Sequence, residues 1–176
     1  MNSYYLREIE KRDIGQINTW RNDRSIIELL GNNFIYIAND LDEAWYENYV
    51  ANRASAKRFS IICQDSDLFI GNVQLTSIHP INKSAEFSIV IGNKDYWSKG
   101  AGRFATKEAL RHGFQDLNLN RIWLTVLDTN SRAIHLYQSL GFVAEGIQRE
   151  ALYKNGAYCN LMFMSILAKE YFSKNS

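Results

Sequence analysis

The segment Tyr96-Trp97-Ser98-Lys99-Gly100-Ala101-Gly102-Arg103 joins an apolar β-rich run to a stretch with helical periodicity. Glycines here let the backbone come close to a ligand, and the free N–H groups of a helix start attract an anion. Lys99 and Arg103 add positive charge, so a phosphate or pyrophosphate is the natural guest. A plain glycine turn before a helix is the competing interpretation. Upstream, Phe59–Cys63 and Phe69–Ile78 bracket Asp65-Ser66-Asp67, a hairpin signal. Ala85–Ile91 makes a third β-rich run. Downstream come a helix from Arg103 to about Leu117, a strand Ile122–Val126, and a helix Ser131–Leu140 closed by Gly141. The last element is a hairpin, Val143–Tyr153 and Tyr158–Leu167 around Asn155-Gly156.

The N-terminal part is more helical. Tyr4–Glu8 reads as a strand, and Asp13 is placed to cap a helix through Ile14, Ile17 and Trp20. A second helical piece is expected at Ser25–Leu30. Asp40 with Glu43 resembles a capping box opening Leu41–Arg53. The order strand, helices, three antiparallel strands, helix, strand, helix, hairpin predicts an α/β (α+β) fold. Its sheet is mixed and mostly antiparallel, of about seven strands, with helices on both faces.

That order also separates the nucleotide readings of the glycine loop. The P-loop pattern is absent. Gly100-Ala101-Gly102-Arg103-Phe104-Ala105 does match a dinucleotide fingerprint, and Asp128 lies where a ribose-binding acid belongs. Yet hairpin-like strands precede the loop, and one helix and a hairpin follow Asp128. That is too little for a parallel nucleotide-binding sheet, so an NAD oxidoreductase stays a minor alternative.

Composition sets the outer limits. At 176 residues the chain suits a single domain over 1–176, and 46% hydrophobic content with a net charge of +1 excludes a disordered chain. The balanced charge speaks against nucleic acid and anionic membrane as partners. No stretch approaches the ~20 apolar residues of a membrane span, and the first residues lack a leader-like apolar core, so a cytoplasmic location is expected. Cys63 and Cys159, far apart and in apolar runs, read as reduced packed thiols. His79, His112 and His135 show no ligand spacing, so no metal is expected.

The motifs taken together resemble the GNAT superfamily of acetyl-CoA-dependent N-acetyltransferases. Trp97-Ser98-Lys99-Gly100-Ala101-Gly102 is similar to the family's Gln/Arg-x-x-Gly-x-Gly/Ala signature, with Trp97 in the place of Gln/Arg. Asn130-Ser131-Arg132-Ala133-Ile134-His135-Leu136-Tyr137-Gln138-Ser139-Leu140-Gly141-Phe142 resembles its Asn-x-x-Ala-x-x-Leu-Tyr-x-x-x-Gly-Phe segment. Trp20-Arg21-Asn22-Asp23, Ala85-Glu86-Phe87 and the final hairpin look like the RimJ/RimL branch. Spermidine/spermine N-acetyltransferases are also similar overall.

The resemblance implies acetyl-CoA as cosubstrate; because neither cysteine has the nearby His or acid pattern of a nucleophile, direct transfer to an amine is expected. Ser98, Lys99, Gly100, Ala101, Gly102 and Arg103 would hold the pyrophosphate, with Arg132 nearby. The pantetheine arm would lie between Ala85–Ile91 and Arg121–Leu127, contacting Ile89, Val90 and Ile91. Asn130 would reach that arm or merely cap the next helix. A main-chain N–H near Val90 would meet the acetyl oxygen. Tyr137 would protonate the leaving thiolate, and Glu86 would accept the amine's proton, directly or through water. A packed core tyrosine and a solvated strand glutamate are the plain alternatives. The acetyl-CoA core would span about 59–142, and the acceptor pocket would come from 12–53 and 143–167.

Within that pocket Trp20, Arg21, Asn33 and Glu86 are the candidate substrate contacts, Arg21 being otherwise an ordinary solvated helix residue. Leu30-Gly31-Asn32-Asn33-Phe34-Ile35-Tyr36 is neutral and aromatic where the polyamine enzymes carry an acidic pair. A protein or peptide N-terminal amine is therefore ranked first, a small amine or amino sugar second, and a polyamine third. A homodimer is compatible with this scheme. A catalytically silent, acyl-CoA-binding GNAT-like domain is the non-enzyme alternative.

Overall fold

A computed structural model describes residues 3–175; Met1, Asn2 and Ser176, the ends of the expected domain, lie outside the described residues. Seven strands form one sheet in the order β1-β2-β3-β4-β5-β7-β6. They are β1 Tyr4–Glu8, β2 Lys57–Cys63, β3 Leu68–His79, β4 Ser84–Ile91, β5 Arg121–Leu127, β6 Val143–Lys154 and β7 Ala157–Leu167. Six α-helices accompany them: α1 Ile14–Arg21, α2 Arg24–Ile27, α3 Asn39–Ala51, α4 Ala101–Arg111, α5 Ser131–Leu140 and α6 Ala168–Asn175.

Neighbouring strands are antiparallel except β4 and β5. That parallel pair is matched only at Ser84–Arg121, Ala85–Ile122 and Glu86–Trp123. Beyond Glu86, β4 continues beside β3 and β5 continues beside β7, so the two strands part. Half of the peptide groups of residues 87–91 thus face the opening without a strand partner, because backbone donors alternate sides along a strand.

The side-chain alternation of β4 sorts the layers. Ala85 and Phe87 are buried in the larger core with Ile122, Leu124, Met164 and Ile166 and the apolar stripes of α4 and α5. Each large side chain fully buried there contributes roughly 1.5–3 kcal/mol of transfer free energy. Val90, on the opposite face, packs against the second core of Ile14, Ile17, Trp20 and Tyr49 from the N-terminal helices. Helices therefore cover both faces.

Local chemistry moved several helix starts. Asp13 does not cap α1: its carboxylate is buried and takes bonds from Arg7 at 2.7 Å, Ser60 Oγ at 2.7 Å and the Glu10 N–H at 2.9 Å. A buried acid is satisfied first by a cation and donors from other elements. The capping box at Asp40 does not form either; α3 starts at Asn39, whose amide donates to Glu43 at 2.6 Å. The second helix is only Arg24–Ile27, and its cap is Asp23, which accepts from the Ser25 N–H. The helix after the glycine loop begins at Ala101 and ends at Arg111, and His112–Asp116 continue as a π turn. Gly141 closes α5 at φ +108°, where a side chain would be strained.

Candidate active site

Three parts converge where β4 and β5 separate. The first is the glycine loop. Gly100 stands at φ +91° before α4, and Phe104 is the first residue whose N–H reaches a helical carbonyl, that of Gly100. The N–H groups of Gly100, Ala101, Gly102 and Arg103 therefore remain unpaired within the helix and point out of its N-terminus. Ser98, Lys99, Gly100, Arg103 and Arg132 are exposed, whereas Ala101 is buried against the core. The loop is braced rather than free: Tyr4 donates its hydroxyl to the Lys99 carbonyl at 2.9 Å, and Arg103 bonds Ser139 on α5 at 2.8 Å. Trp97, the departure from the family pattern, donates its indole N–H to the Ile91 carbonyl at 2.7 Å. It ties the loop to the end of β4.

The second part is the β4 rim with α5. Tyr137 is buried between Phe87 and Phe142, with ring centroids 6.0 and 5.7 Å apart. Burial pushes its phenol up to about 12. Its hydroxyl has no protein partner among the described residues, yet it is not sealed off; Arg58 Nε is the one fully buried side-chain nitrogen or oxygen without a partner. Glu86, half-buried, follows Ala85 on the opposite face from Phe87. Desolvation raises its pKa, and no ion pair with it is formed among the described residues. Tyr137 and Glu86 thus flank neighbouring points of β4 from opposite faces. Asn130 serves at the start of α5, accepting from the Ala133 N–H at 3.1 Å and donating to the Leu29 carbonyl at 3.0 Å. Both ends of its amide are engaged, which favours the capping role over contact with a cofactor arm.

The third part is a cavity of about 300 Å³ under α1 and the loop before α3. Trp20, Arg21, Asn33 and Val90 line it, as the sequence suggested for the first three; Glu86 does not. Glu86 lies two residues along β4 from Ser88. Arg21 is bonded to the fully buried Asp42, so it is no free anion receptor. Asn33 donates to the Tyr153 carbonyl at 2.6 Å and fastens the loop to the final hairpin. Lys154 does the same, reaching the carbonyls of Ile27 and Leu30.

Sequence reasoning missed Arg58, Asn72 and Gln74, which form the cavity's sheet wall. Arg58 bonds Gln74 Oε1, and Gln74 Nε2 donates to Ser88 Oγ at 2.7 Å, a relay across β2, β3 and β4. Burial lowers the Arg58 pKa, and the nearby Arg21 charge adds to that effect. Strand alternation could have placed Arg58 with Ser60, but only the pairing of β2 with β3 reveals Gln74 beside it.

A cleft between parting strands, a loop of free N–H groups with cations, a sequestered phenol and a cavity on the other face suit transfer from a long anionic donor to a second substrate. Among the described residues, no group of three or more His, Cys, Asp or Glu side chains is placed to hold a metal ion. No helix there is long and apolar enough to cross a membrane.

Residues 4–143 match the family described as Acetyltransferase (GNAT) domain. Spermidine N(1)-acetyltransferase of Vibrio cholerae is 34% identical over 170 residues, 97% of this chain and 96% of that protein. The crystal structure of spermidine N-acetyltransferase from Vibrio cholerae in complex with CoA and spermine has a TM-score of 0.90 at 33% identity, covering 96% of this chain and 98% of that one. A dodecameric structure of the Vibrio cholerae enzyme has a TM-score of 0.85 at 31% identity, covering 98% of each chain.

Proposed function

From the premise that this chain belongs to the GNAT acetyltransferase family and is an acetyl-CoA-dependent N-acetyltransferase, we propose how its residues divide that work. The separation of β4 and β5 directly beside four unpaired helix-start N–H groups carries the reading. Residues about 59–142 hold the cosubstrate, and 12–53 with 143–167 shape the acceptor side. Acetyl-CoA supplies an activated acetyl thioester.

The N–H groups of Gly100 to Arg103 bind pyrophosphate, helped by the charges of Lys99, Arg103 and Arg132. Those peptide groups among Ile89, Val90 and Ile91 that turn to the β5 side receive the pantetheine amides, and one N–H near Val90 polarises the acetyl carbonyl. Tyr137 keeps its proton at Oη, where negative charge grows on the departing sulfur. That proton passes to the sulfur as the C–S bond breaks, at a place where burial disfavours a charged thiolate as well as a charged phenolate. Glu86, whose raised pKa makes it a better base than an ordinary carboxylate, takes the amine's proton, through a water because it stands outside the cavity lining.

The acceptor is a primary amine, on a protein N-terminus or a small molecule. A polyamine is the second reading, supported by the Vibrio cholerae relatives named for spermidine. Assembly beyond a monomer belongs to the same proposal: a relative is dodecameric, and Val143, Ile147, Tyr153 and Tyr158 leave the final hairpin apolar and exposed. Light scattering is expected to give a mass of at least two chains.

A thermal-shift series tests the enzyme reading. Saturation at 100 times Kd with acetyl-CoA or CoA is expected to stabilise the fold by about 2.7 kcal/mol, and NADH is expected to do nothing. Stabilisation by NADH and not by CoA would overturn it.

A further inference from the structure

We infer that the acceptor cavity receives an amine that also carries an oxyanion, carboxylate or phosphate, and that Arg58 binds this group. The inference rests on the acetyltransferase reading above. Two arginines, amides and apolar side chains line the cavity, and no carboxylate does. Arg21 is already matched by Asp42, which also accepts from Asn18 at 2.7 Å.

Among the described residues Arg58 has no acid partner. Its Nη1 donates to Gln74 Oε1, a neutral acceptor, and its Nε is buried without a partner. Its Nη2 bonds no protein atom among the described residues and is not sealed away. The rings of Trp45 and Tyr49 stand 4.6 and 5.5 Å from the guanidinium and compensate part of its lost hydration. A half-desolvated cation beside a cavity with no counter-charge fits a ligand that brings the anion itself. The flat guanidinium matches the two oxygens of a carboxylate or phosphate.

The register gives the distance scale. Through Gln74 the guanidinium stands over β3, one strand from β4, and Gln74 continues to Ser88. Glu86 lies two residues further, about 7 Å along the strand on the same face. An amine addressed to Glu86 would thus place an anion a few bonds away against Arg58. A polycation in the same place would set a second ammonium against Arg58, with no carboxylate in the lining to hold it.

Matched acceptors test this: L-methionine against L-methioninamide, glucosamine 6-phosphate against glucosamine, and spermidine, each with acetyl-CoA and wild-type, R58M or R58K enzyme. The anionic member of one pair is expected to have at least tenfold higher kcat/KM than its neutral partner and than spermidine, and the pair that responds identifies carboxylate or phosphate. R58M is expected to erase that preference through KM, and R58K to keep part of it, while CoA stabilises all three proteins equally. Preference for neutral members or spermidine overturns the inference, as does a preference unchanged in R58M. Turnover of no acceptor by a protein that CoA stabilises also overturns it. Absence of CoA stabilisation instead overturns the acetyltransferase reading beneath it.

Discussion

At the scale of single residues, the two sides of β4 call for different experiments. Tyr137→Phe removes one oxygen and leaves the ring contacts with Phe87 and Phe142, so the fold is expected to be kept. Loss of the donor should lower kcat by about 10²-fold or more, with KM for acetyl-CoA nearly unchanged in steady-state assays. Because burial raises the phenol to about 12, its ionisation cannot produce an activity decline below about pH 10. The same shift has a consequence for stability. The folded pKa exceeds the unfolded one, so this contribution is present below about pH 10 and is lost as pH climbs towards 12. Glu86 works in the opposite protonation state. As a base it works only when deprotonated, so the acid limb of kcat/KM should lie above the ordinary glutamate range, because desolvation raises its pKa. Glu86→Gln should remove that limb and lower the plateau; a limb that survives the substitution would exclude Glu86 as its source. Gly92 has a packing role instead: a Cβ there would fall inside the Trp20 indole that lines the cavity. Gly92→Ala is expected to cost about 1–3 kcal/mol in denaturant melts and to displace that wall.

Among the elements, β1 is tied to the turn before α1 by the ion pair of Arg7 with Asp13 at 2.7 Å. Burial would raise the Asp13 pKa, but the bonds from Arg7, the Glu10 N–H and Ser60 outweigh it and hold the carboxyl below its usual range. The folded pKa is therefore depressed, so this stabilisation is present above about pH 4 and fades as acid protonates the group. Asp13→Ala would leave Arg7 with Glu10 at 3.6 Å and remove the acceptor of the Glu10 N–H and Ser60 Oγ; it should cost about 1–3 kcal/mol by urea unfolding at neutral pH, with a much smaller difference from the parent near pH 2. The sequence misread this residue because Asp before an apolar periodicity is the standard cap signal, and the competing partners Arg7 and Ser60 are brought in by tertiary pairing. Where the signal is purely local, legibility was high. Asn130, Gly141 and the stripe between them delimit α5 as observed, and Asn155-Gly156 sits at the hairpin turn. The glycine loop stood out by its own residues, whereas Tyr137 and Glu86 were singled out only through the family resemblance, and their neighbouring places on β4 needed the fold. Arg58 and Gln74 were not legible, since their meaning depends on β2 lying in register with β3. Neither the π turn at His112–Asp116 nor α6 left a pattern distinct from helix continuation and chain end.

For the molecule as a whole, the β4–β5 junction is both the site and the weakest seam of the sheet. Seven register pairs join β5 to β7, whereas three join β4 to β5. The halves β1–β4 and β5–β7 are otherwise bridged from one face by the core that α4 and α5 complete. Unpaired peptide groups along residues 87–91 and 124–127 are the ones a pantetheine arm would occupy. A ligand inserted there replaces water on both strands at once and couples the two halves. Amide hydrogen exchange should therefore show faster exchange at this rim than in the paired ends of β3 and β7 when the protein is free. Adding CoA should slow exchange along β4 and β5 beyond Glu86 and Trp123, and also at Gly100 to Arg103, leaving β1 and β2 little changed. Protection confined to Gly100–Arg103 would mean that CoA is held by its phosphates alone and that the parted strands do not grip the arm. Slower exchange on both sides of the seam would make the two halves one cooperative unit only in the loaded enzyme, with the acceptor face of β4 held in its working position by the donor on the other side.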